Sequence, residues 1–331
     1  MNILLTGCFG FIGFNFLNYI SDNLSKEFKI IGVDALKFPT SKINSSKYPE
    51  NENFQFYEID INNIHETNIE DIDILINFAA ESHVDNSISN PIGFIESNVK
   101  GLGNLLMWAF EKDIQNILHI STDEVYGSSD ENYPSENSKF NPSSPYSASK
   151  ASAEHLCTSF AKTYGQNINI LRPSNNYGIY QQPEKLIPFS IANLINDKNI
   201  EVYGTGKNIR HWLHVNDTSR AILRVMESSC ENEVFNIGSG EYLENLFVVD
   251  KLLEILNLDS SRISFVEDRL GHDFRYAVNF DKLKQLGWEP KEKFDLQLEK
   301  IVTWYENNED WWIDSYEEIV KNREIRNKLT K

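Results

Sequence analysis

Two short stretches carry side chains able to move protons. In Tyr146-Ser147-Ala148-Ser149-Lys150 a phenol and an ammonium stand four residues apart, on one face if the segment is helical. A phenol titrates near 10, so acting as a base at neutral pH needs about 3 units of help, roughly 4 kcal/mol. A cation about 4 Å away supplies energy of that order at an effective dielectric of ~20. Such pairs also arise by chance on exposed helix faces, and the pair alone does not define a site. In Ser121-Thr122-Asp123-Glu124-Val125-Tyr126-Gly127 two carboxylates adjoin. On a continuing strand they would face opposite sides, so they reach one reactant together only if the chain leaves extended geometry at Thr122. Gly127 and the serines after it allow that break; without it the pair is an acidic loop tip.

A third stretch is built to hold rather than to react. Thr6-Gly7-Cys8-Phe9-Gly10-Phe11-Ile12-Gly13 follows an apolar run and precedes a helical pattern, with GxxGxxG spacing. Gly7 permits a tight turn, Gly10 lets backbone approach a pyrophosphate, and the helix amino end offers free N–H groups and a positive dipole. Asp34 ends the next apolar run 21 residues after Gly13. A carboxylate there accepts hydrogen bonds from a ribose and repels a 2′-phosphate, which favours NAD over NADP. Lys37 lies close by and leaves tolerance of that phosphate open.

The elements that position these residues follow from periodicity. Strands are expected at 2–5, 28–33, 54–59, 72–78, 117–122 and 168–171, all rich in β-branched or aromatic residues, with helices between most of them. The first helix shows Ile12, Phe16, Leu17, Ile20 and Leu24 on one stripe, and Pro142 and Pro145 precede the helix expected around Tyr146. Alternating strands and helices predict an α/β fold with a parallel sheet. After Leu171 the pattern loosens. Strands at 200–203 and 234–237 and helices near 217–226 and 248–256 suggest a smaller mixed lobe, so the expected division is 1–171 and 172–331, with the two parts interleaved. The stretch 311–331, with Trp311, Trp312, Tyr316 and Ile319, reads as a peripheral helix.

Composition narrows the function classes. The chain has 331 residues, 40% hydrophobic, and a formal charge of −18, which argues against a nucleic-acid partner. Its three cysteines, Cys8, Cys157 and Cys230, lie far apart in no metal-ligand spacing, which predicts a reducing, cytoplasmic setting and no metal site. No targeting segment and no run of about 18 apolar residues occurs, so no membrane partner is expected.

Taken together, the glycine loop, Asp34, Asn77-Phe78-Ala79-Ala80 and the Tyr146/Lys150 pair resemble the extended short-chain dehydrogenase/reductase superfamily, and Asp123-Glu124 is similar to the acid pair of its NDP-glucose 4,6-dehydratases. The resemblance reaches to about Tyr305. It implies a Rossmann-type doubly wound parallel sheet with a smaller mixed α/β carboxyl-terminal lobe for a nucleotide sugar, dTDP-glucose or UDP-glucose. It also implies residue roles. Tyr146, with Lys150, would take the proton from the hydroxyl on sugar carbon 4 as hydride passes to NAD, and Thr122 would orient that oxygen. Glu124 would remove the hydrogen on carbon 5, and Asp123 would protonate the hydroxyl leaving carbon 6. Asp123 then needs a raised pKa, which burial beside Glu124 provides.

The same resemblance places Gly7, Gly10, Phe11, Ile12, Gly13, Asp34, Asp60, Ile61, Phe78, Ala79, Ala80, Ser97 and Asn176 with Tyr146 and Lys150 around NAD. It places Ser82, Asn175, Lys185, Leu186, Tyr203, Arg210, Asn236, Arg269 and His272 with Thr122 around the substrate, Arg210 and Arg269 as partners of the diphosphate. His83, inside a matching segment, reads as a packing residue. Cys8, Phe9, Asn86 and Leu270 depart from the usual residues, and Phe9 is expected to crowd the pyrophosphate. Helices near 94–110 and 149–164 resemble those by which family members form homodimers. Two alternatives remain: an epimerase or decarboxylase of the same superfamily, and a non-catalytic NAD-binding scaffold.

Overall fold

Apolar runs too continuous for a one-sided sheet become strands covered on both faces. The computed structural model describes residues 1–23, 28–129 and 133–329, with side chains through Arg323. Its first six strands are β1 (Asn2–Thr6), β2 (Lys29–Asp34), β3 (Phe54–Glu58), β4 (Ile74–Asn77), β5 (Asn116–Ile120) and β6 (Asn167–Pro173), each within two residues of its expected bounds. The rest are β7 (Asn175–Tyr177), β8 (Ile200–Tyr203), β9 (Ile209–His214), β10 (Val234–Ile237), β11 (Tyr242–Glu244) and β12 (Ile263–Val266).

Seven strands pair in the order β10-β6-β5-β4-β1-β2-β3, every pair parallel. Alternate residues feed opposite cores. Ile3 and Leu5 pack with Phe16, Leu17 and Ile20 of the helix Phe11–Asn23, and Ile12 packs against the same cluster. Leu4 packs on the other face with Leu102, Leu105 and Leu106. The remaining member of the expected stripe, Leu24, lies outside the described residues. Strand order reverses between β1 and β4, and in such sheets ligands bind in the crevice beyond the strand carboxyl ends at that switch.

The chain crosses position 171 within β6, and β10 returns to the large sheet as its outer strand beside β6. The smaller lobe holds a three-stranded sheet, β11-β9-β7, a parallel pair, β12-β8, and the helices Leu186–Ile195, Asn245–Ile255 and Phe294–Asn307. The last helix, Glu309–Leu329, corrects the expectation of a peripheral tail. Trp311, Trp312 and Tyr316 are at most 2% exposed and fill the lobe's core with Ile187, Ile191 and Tyr305. Their indole and phenol tips find partners: Trp311 Nε1 donates to Asn44 Oδ1, Trp312 Nε1 to the Tyr305 carbonyl and Tyr316 to Asn193 Oδ1. The charged residues around them give the segment the look of surface, because its buried stripe is narrow but aromatic.

Candidate active site

The glycine turn at the end of β1 is tight because nothing larger fits. Gly7 has φ +67°, and a Cβ there would lie 2.7 Å from the Ala79 nitrogen; one on Gly13 would lie 2.2 Å from the Gly7 carbonyl oxygen. The turn opens onto a cavity of about 210 Å³. Gly7, Gly10, Phe11, Ile12 and Gly13 form its floor, and Asp34, Asp60 and Ile61 one wall. Phe78, Ala79, Ala80 and Ser97 form another, and Tyr146 and Lys150 stand at its inner end. Every residue expected around NAD is here except Asn176. That residue lines the neighbouring cavity, with its amide bonded to the Ser174 carbonyl and the Thr218 hydroxyl.

Asp34 accepts from the backbone nitrogens of Phe9 (3.0 Å) and Leu36 (2.9 Å) and so shapes the rim as well as presenting its carboxylate. Lys37 lines the cavity too, with its ammonium held by Asp60 at 2.8 Å. Phe9 does not crowd the turn. Its side chain is buried among Phe14, Phe54 and Phe56, pointing away from the space a pyrophosphate needs, and Cys8 is likewise buried. A narrow glycine cradle, a helix amino end and a carboxylate at the ribose position fit a dinucleotide.

A second cavity of about 270 Å³ shares Phe11, Ile12, Ser82, Ser121, Tyr146 and Lys185 with the first. Thr122 is extended at φ −157°, ψ 152°, and the chain then coils into a 3-10 turn over Asp123–Tyr126. That is the break needed to turn both acids one way, and Asp123 and Glu124 both line the cavity. The Thr122 hydroxyl caps the turn by accepting from the Glu124 nitrogen at 3.2 Å. Asp123 is 3% exposed, its Oδ2 has no partner, and burial together with the neighbouring Glu124 charge pushes its pKa well above the usual carboxylate range. That shift favours the protonated form over the carboxylate. Glu124 accepts from the Tyr276 hydroxyl at 3.3 Å.

Tyr146 and Lys150 lie in the first turns of the helix Pro145–Tyr164. Pro145 occupies its first position, and Ser144 caps it in a reciprocal pair with Ser147. Burial raises the Tyr146 pKa, Glu124 and then Asp123 raise it further, and only the Thr122 hydroxyl opposes them. Lys150 donates to the Ile120 carbonyl oxygen at 2.7 Å, and burial lowers its own pKa to about 8 against the attraction of Glu154. Burial first, and the two acids after it, hold the phenol above its ordinary range.

The remaining substrate expectations divide clearly. Ser82, Asn175, Lys185, Leu186, Tyr203, Arg210, Arg269 and His272 line the second cavity. Arg210 is anchored by the carbonyls of Ile209 (2.8 Å) and Asp273 (3.0 Å) over the Tyr276 ring. Arg269 faces Asp85 at 3.5 Å and keeps Nε unpartnered. His272 pairs with Asp268 at 2.5 Å, and burial lowers its pKa to about 4.

Asn236 is not among the lining residues. Fully buried, it accepts from Tyr126 and donates to the carbonyls of Pro134 and Asn279, so its amide is engaged in packing β10. Asn245 lines the cavity instead, its Oδ1 buried without a partner. His83 also lies on the wall, where its Nε2 bonds the Glu184 carbonyl and burial lowers its pKa. Asn86 and Leu270 are exposed outside both linings. Tyr276, Glu184 and Arg323 were not anticipated. Tyr276 closely follows the Arg269-to-His272 segment and was within reach of the same pattern; Arg323 carries no local signal at all.

A parallel sheet whose switch point holds a glycine cradle, with a Tyr-Lys helix and an acid pair at the carboxyl edge, defines a dinucleotide-dependent enzyme acting on a ligand in the adjoining lobe. The model of the NAD dependent epimerase/dehydratase family matches residues 3–238, and the chain belongs to that family. Over 92% of its length it is 42% identical to the low-salt glycan biosynthesis protein Agl12 of Haloferax volcanii, spanning 98% of that protein. It is 40% identical to a dTDP-glucose 4,6-dehydratase of Escherichia coli, over 94% of this chain and 95% of the relative. The crystal structure of DesIV, a dTDP-glucose 4,6-dehydratase from Streptomyces venezuelae with NAD and TYD bound, superposes with a TM-score of 0.91. It is 36% identical, over 95% of this chain and all of that one.

Proposed function

We propose that the protein converts dTDP-glucose to its 4-keto-6-deoxy product by losing water across sugar carbons 5 and 6. NAD, bound in the first cavity by the glycine turn and Asp34, supplies the temporary acceptor for hydride. Tyr146 takes the proton of the carbon-4 hydroxyl and Thr122 orients that oxygen. Once carbon 4 is a ketone, the carbon-5 hydrogen is acidic enough for Glu124 to remove. Asp123 gives its proton to the hydroxyl leaving carbon 6; the hydride taken from carbon 4 would then return to carbon 6 while a proton enters at carbon 5, leaving the 4-keto-6-deoxy sugar and the acceptor as it began. Arg210 and Arg269 hold the diphosphate by charge-assisted bonds, with Lys185, Leu186, Asn175 and Tyr203 along the nucleoside.

The observation that carries this reading is the buried Asp123, with its Oδ2 unpartnered, beside Glu124 on one cavity wall. An epimerase has no use for such an acid next to a base. The test is turnover of dTDP-glucose and UDP-glucose by the NAD-loaded protein, followed by mass loss of one water and by solvent hydrogen at carbon 5. A 4-keto-6-deoxy product made faster from dTDP-glucose supports the reading; inversion at carbon 4 without water loss replaces it with epimerisation, and binding without turnover with a scaffold.

Ile92, Ile95, Met107, Phe110 and Tyr164 expose 38–61% of their surface on neighbouring helices, and we infer that this apolar face pairs two copies of the chain. Sedimentation should then give twice the mass of 38.2 kDa. The free thiols of Cys8, Cys157 and Cys230 fit a cytoplasmic location. No helix among the described residues is long and apolar enough to cross a membrane.

A further inference from the structure

Contacts order the lining of the second cavity from one end to the other. At the acid end Glu124 meets Tyr276, whose ring underlies the Arg210 guanidinium at 4.4 Å. Arg269, the other cation, faces Asp85, whose second oxygen takes the Tyr203 hydroxyl at 3.0 Å. Tyr203 stands two residues from Glu201 on β8, so both side chains leave the strand on one face. Glu201 accepts from Arg323 at 3.2 Å, and that guanidinium lies over the Phe189 ring at 3.9 Å. Glu201, Phe189 and Arg323 all line the cavity.

We propose that Arg323, carried in by the last helix, recognises the pyrimidine base of the nucleotide sugar. The inference rests on the proposed function, which puts the hexose at the acids and the diphosphate between Arg210 and Arg269. The nucleoside then falls to the end formed by Tyr203, Glu201, Phe189 and Arg323. A guanidinium has five N–H donors in a rigid plane. Glu201 engages Nη1 and Phe189 supports the plane, which leaves donors for a ring carbonyl oxygen and a flat surface for a flat base.

The helix is held where this requires. Tyr316, two turns earlier on the same face, is buried against Phe189 with ring centroids 5.8 Å apart. Arg323 is therefore delivered by the aromatic anchor that plugs the lobe core.

Binding of dTDP to the NAD-loaded protein, measured by calorimetry, tests this beside inhibition by inorganic pyrophosphate. Arg323→Ala should weaken dTDP about tenfold, the loss expected for one hydrogen bond to a fixed cation, and leave pyrophosphate inhibition and NAD content unchanged. Arg323→Lys keeps the charge and the pairing with Glu201 but lacks the planar fork. It should also lose dTDP affinity, with an unchanged melting temperature showing that the helix stays docked. Unchanged dTDP affinity in both variants would reduce Arg323 to a tether for the helix, and equal losses of dTDP and pyrophosphate would make it a phosphate contact; either overturns the inference. Failure of the wild-type protein to bind dTDP or UDP would instead remove the proposed function on which it stands.

Discussion

The cofactor cavity takes most of its wall from turns at the ends of β1, β2, β3 and β4, whereas the substrate cavity collects side chains from Phe11 to Arg323. In the first, backbone shape does the holding, and the decisive residues are the ones that lack a side chain. In the second, single carboxylates and guanidiniums do it, each delivered by a different element. Damage to the first should therefore abolish occupancy, while damage to the second should separate binding from chemistry.

The sharpest separation is expected at the acid pair. Glu124→Gln keeps the shape and the neighbour Tyr276 but removes the base. Turnover should fall by about 10²–10⁴, the usual range for a lost general base, with NAD content unchanged and solvent hydrogen no longer entering at carbon 5. Continued exchange at that carbon would remove Glu124 as the base. Asp123→Asn should slow the same elimination. The acid must hold its proton, and burial raises its pKa, so wild-type elimination should fade as pH rises through that elevated value. The asparagine variant should lack that limb.

Next in size is a break on the other side of the comparison. A Cβ on Gly13 would sit 2.2 Å from the Gly7 carbonyl oxygen, which belongs to backbone and cannot swing away. Gly13→Val should yield protein purified without NAD and unable to take it up, measured by released adenine absorbance. Retention of NAD near the wild-type level would show that the turn can open, and the shape argument would fail.

The same contrast explains what was legible beforehand. The strand, glycine turn and helix from Asn2 to Asn23 are contiguous, so local spacing was enough to recognise the cradle and Asp34. The acid pair was legible with a condition attached, a break at Thr122, and the 3-10 turn after it meets that condition. Residues brought in by long-range packing were harder. The sequence pointed to Asn236 for an amide contact, but the tertiary fold buries it in a hydrogen-bonded knot with Tyr126 and brings Asn245 to the cavity instead. Phe9 looked obstructive because its direction is set by partners at Phe54 and Phe56, two strands away. The final helix looked peripheral because its buried stripe is interrupted by acids. The spacing of Tyr146 and Lys150 shows nothing of the burial and the two carboxylates that raise the phenol's pKa, because those come from the surrounding fold.

Lys150 also supplies the smallest predicted effect, and the one that tests whether the site was built for stability. Its pKa of about 8 lies below the ordinary ~10.4 of a lysine, with burial the main cause. A depressed ammonium means that the fold prefers the neutral amine. Below pH 8 the charged group carries its full burial penalty. From there to ~10.4 the unfolded chain holds a proton that the folded chain has released, so stability rises with pH until the penalty is gone. The displacement corresponds to roughly 3 kcal/mol, and the attraction of Glu154 is already included in it. Lys150→Met removes that penalty but also a bond to the Ile120 carbonyl of about 1 kcal/mol. The variant should thus be more stable than wild type by about 2 kcal/mol at pH 7 in denaturant unfolding, and should lose that advantage by pH 10. Turnover should fall at both. A variant less stable at pH 7 would instead make Lys150 a structural counter-ion of Glu154. The expected gain has the opposite meaning: the lysine persists in spite of the fold, because a proton must move at Tyr146.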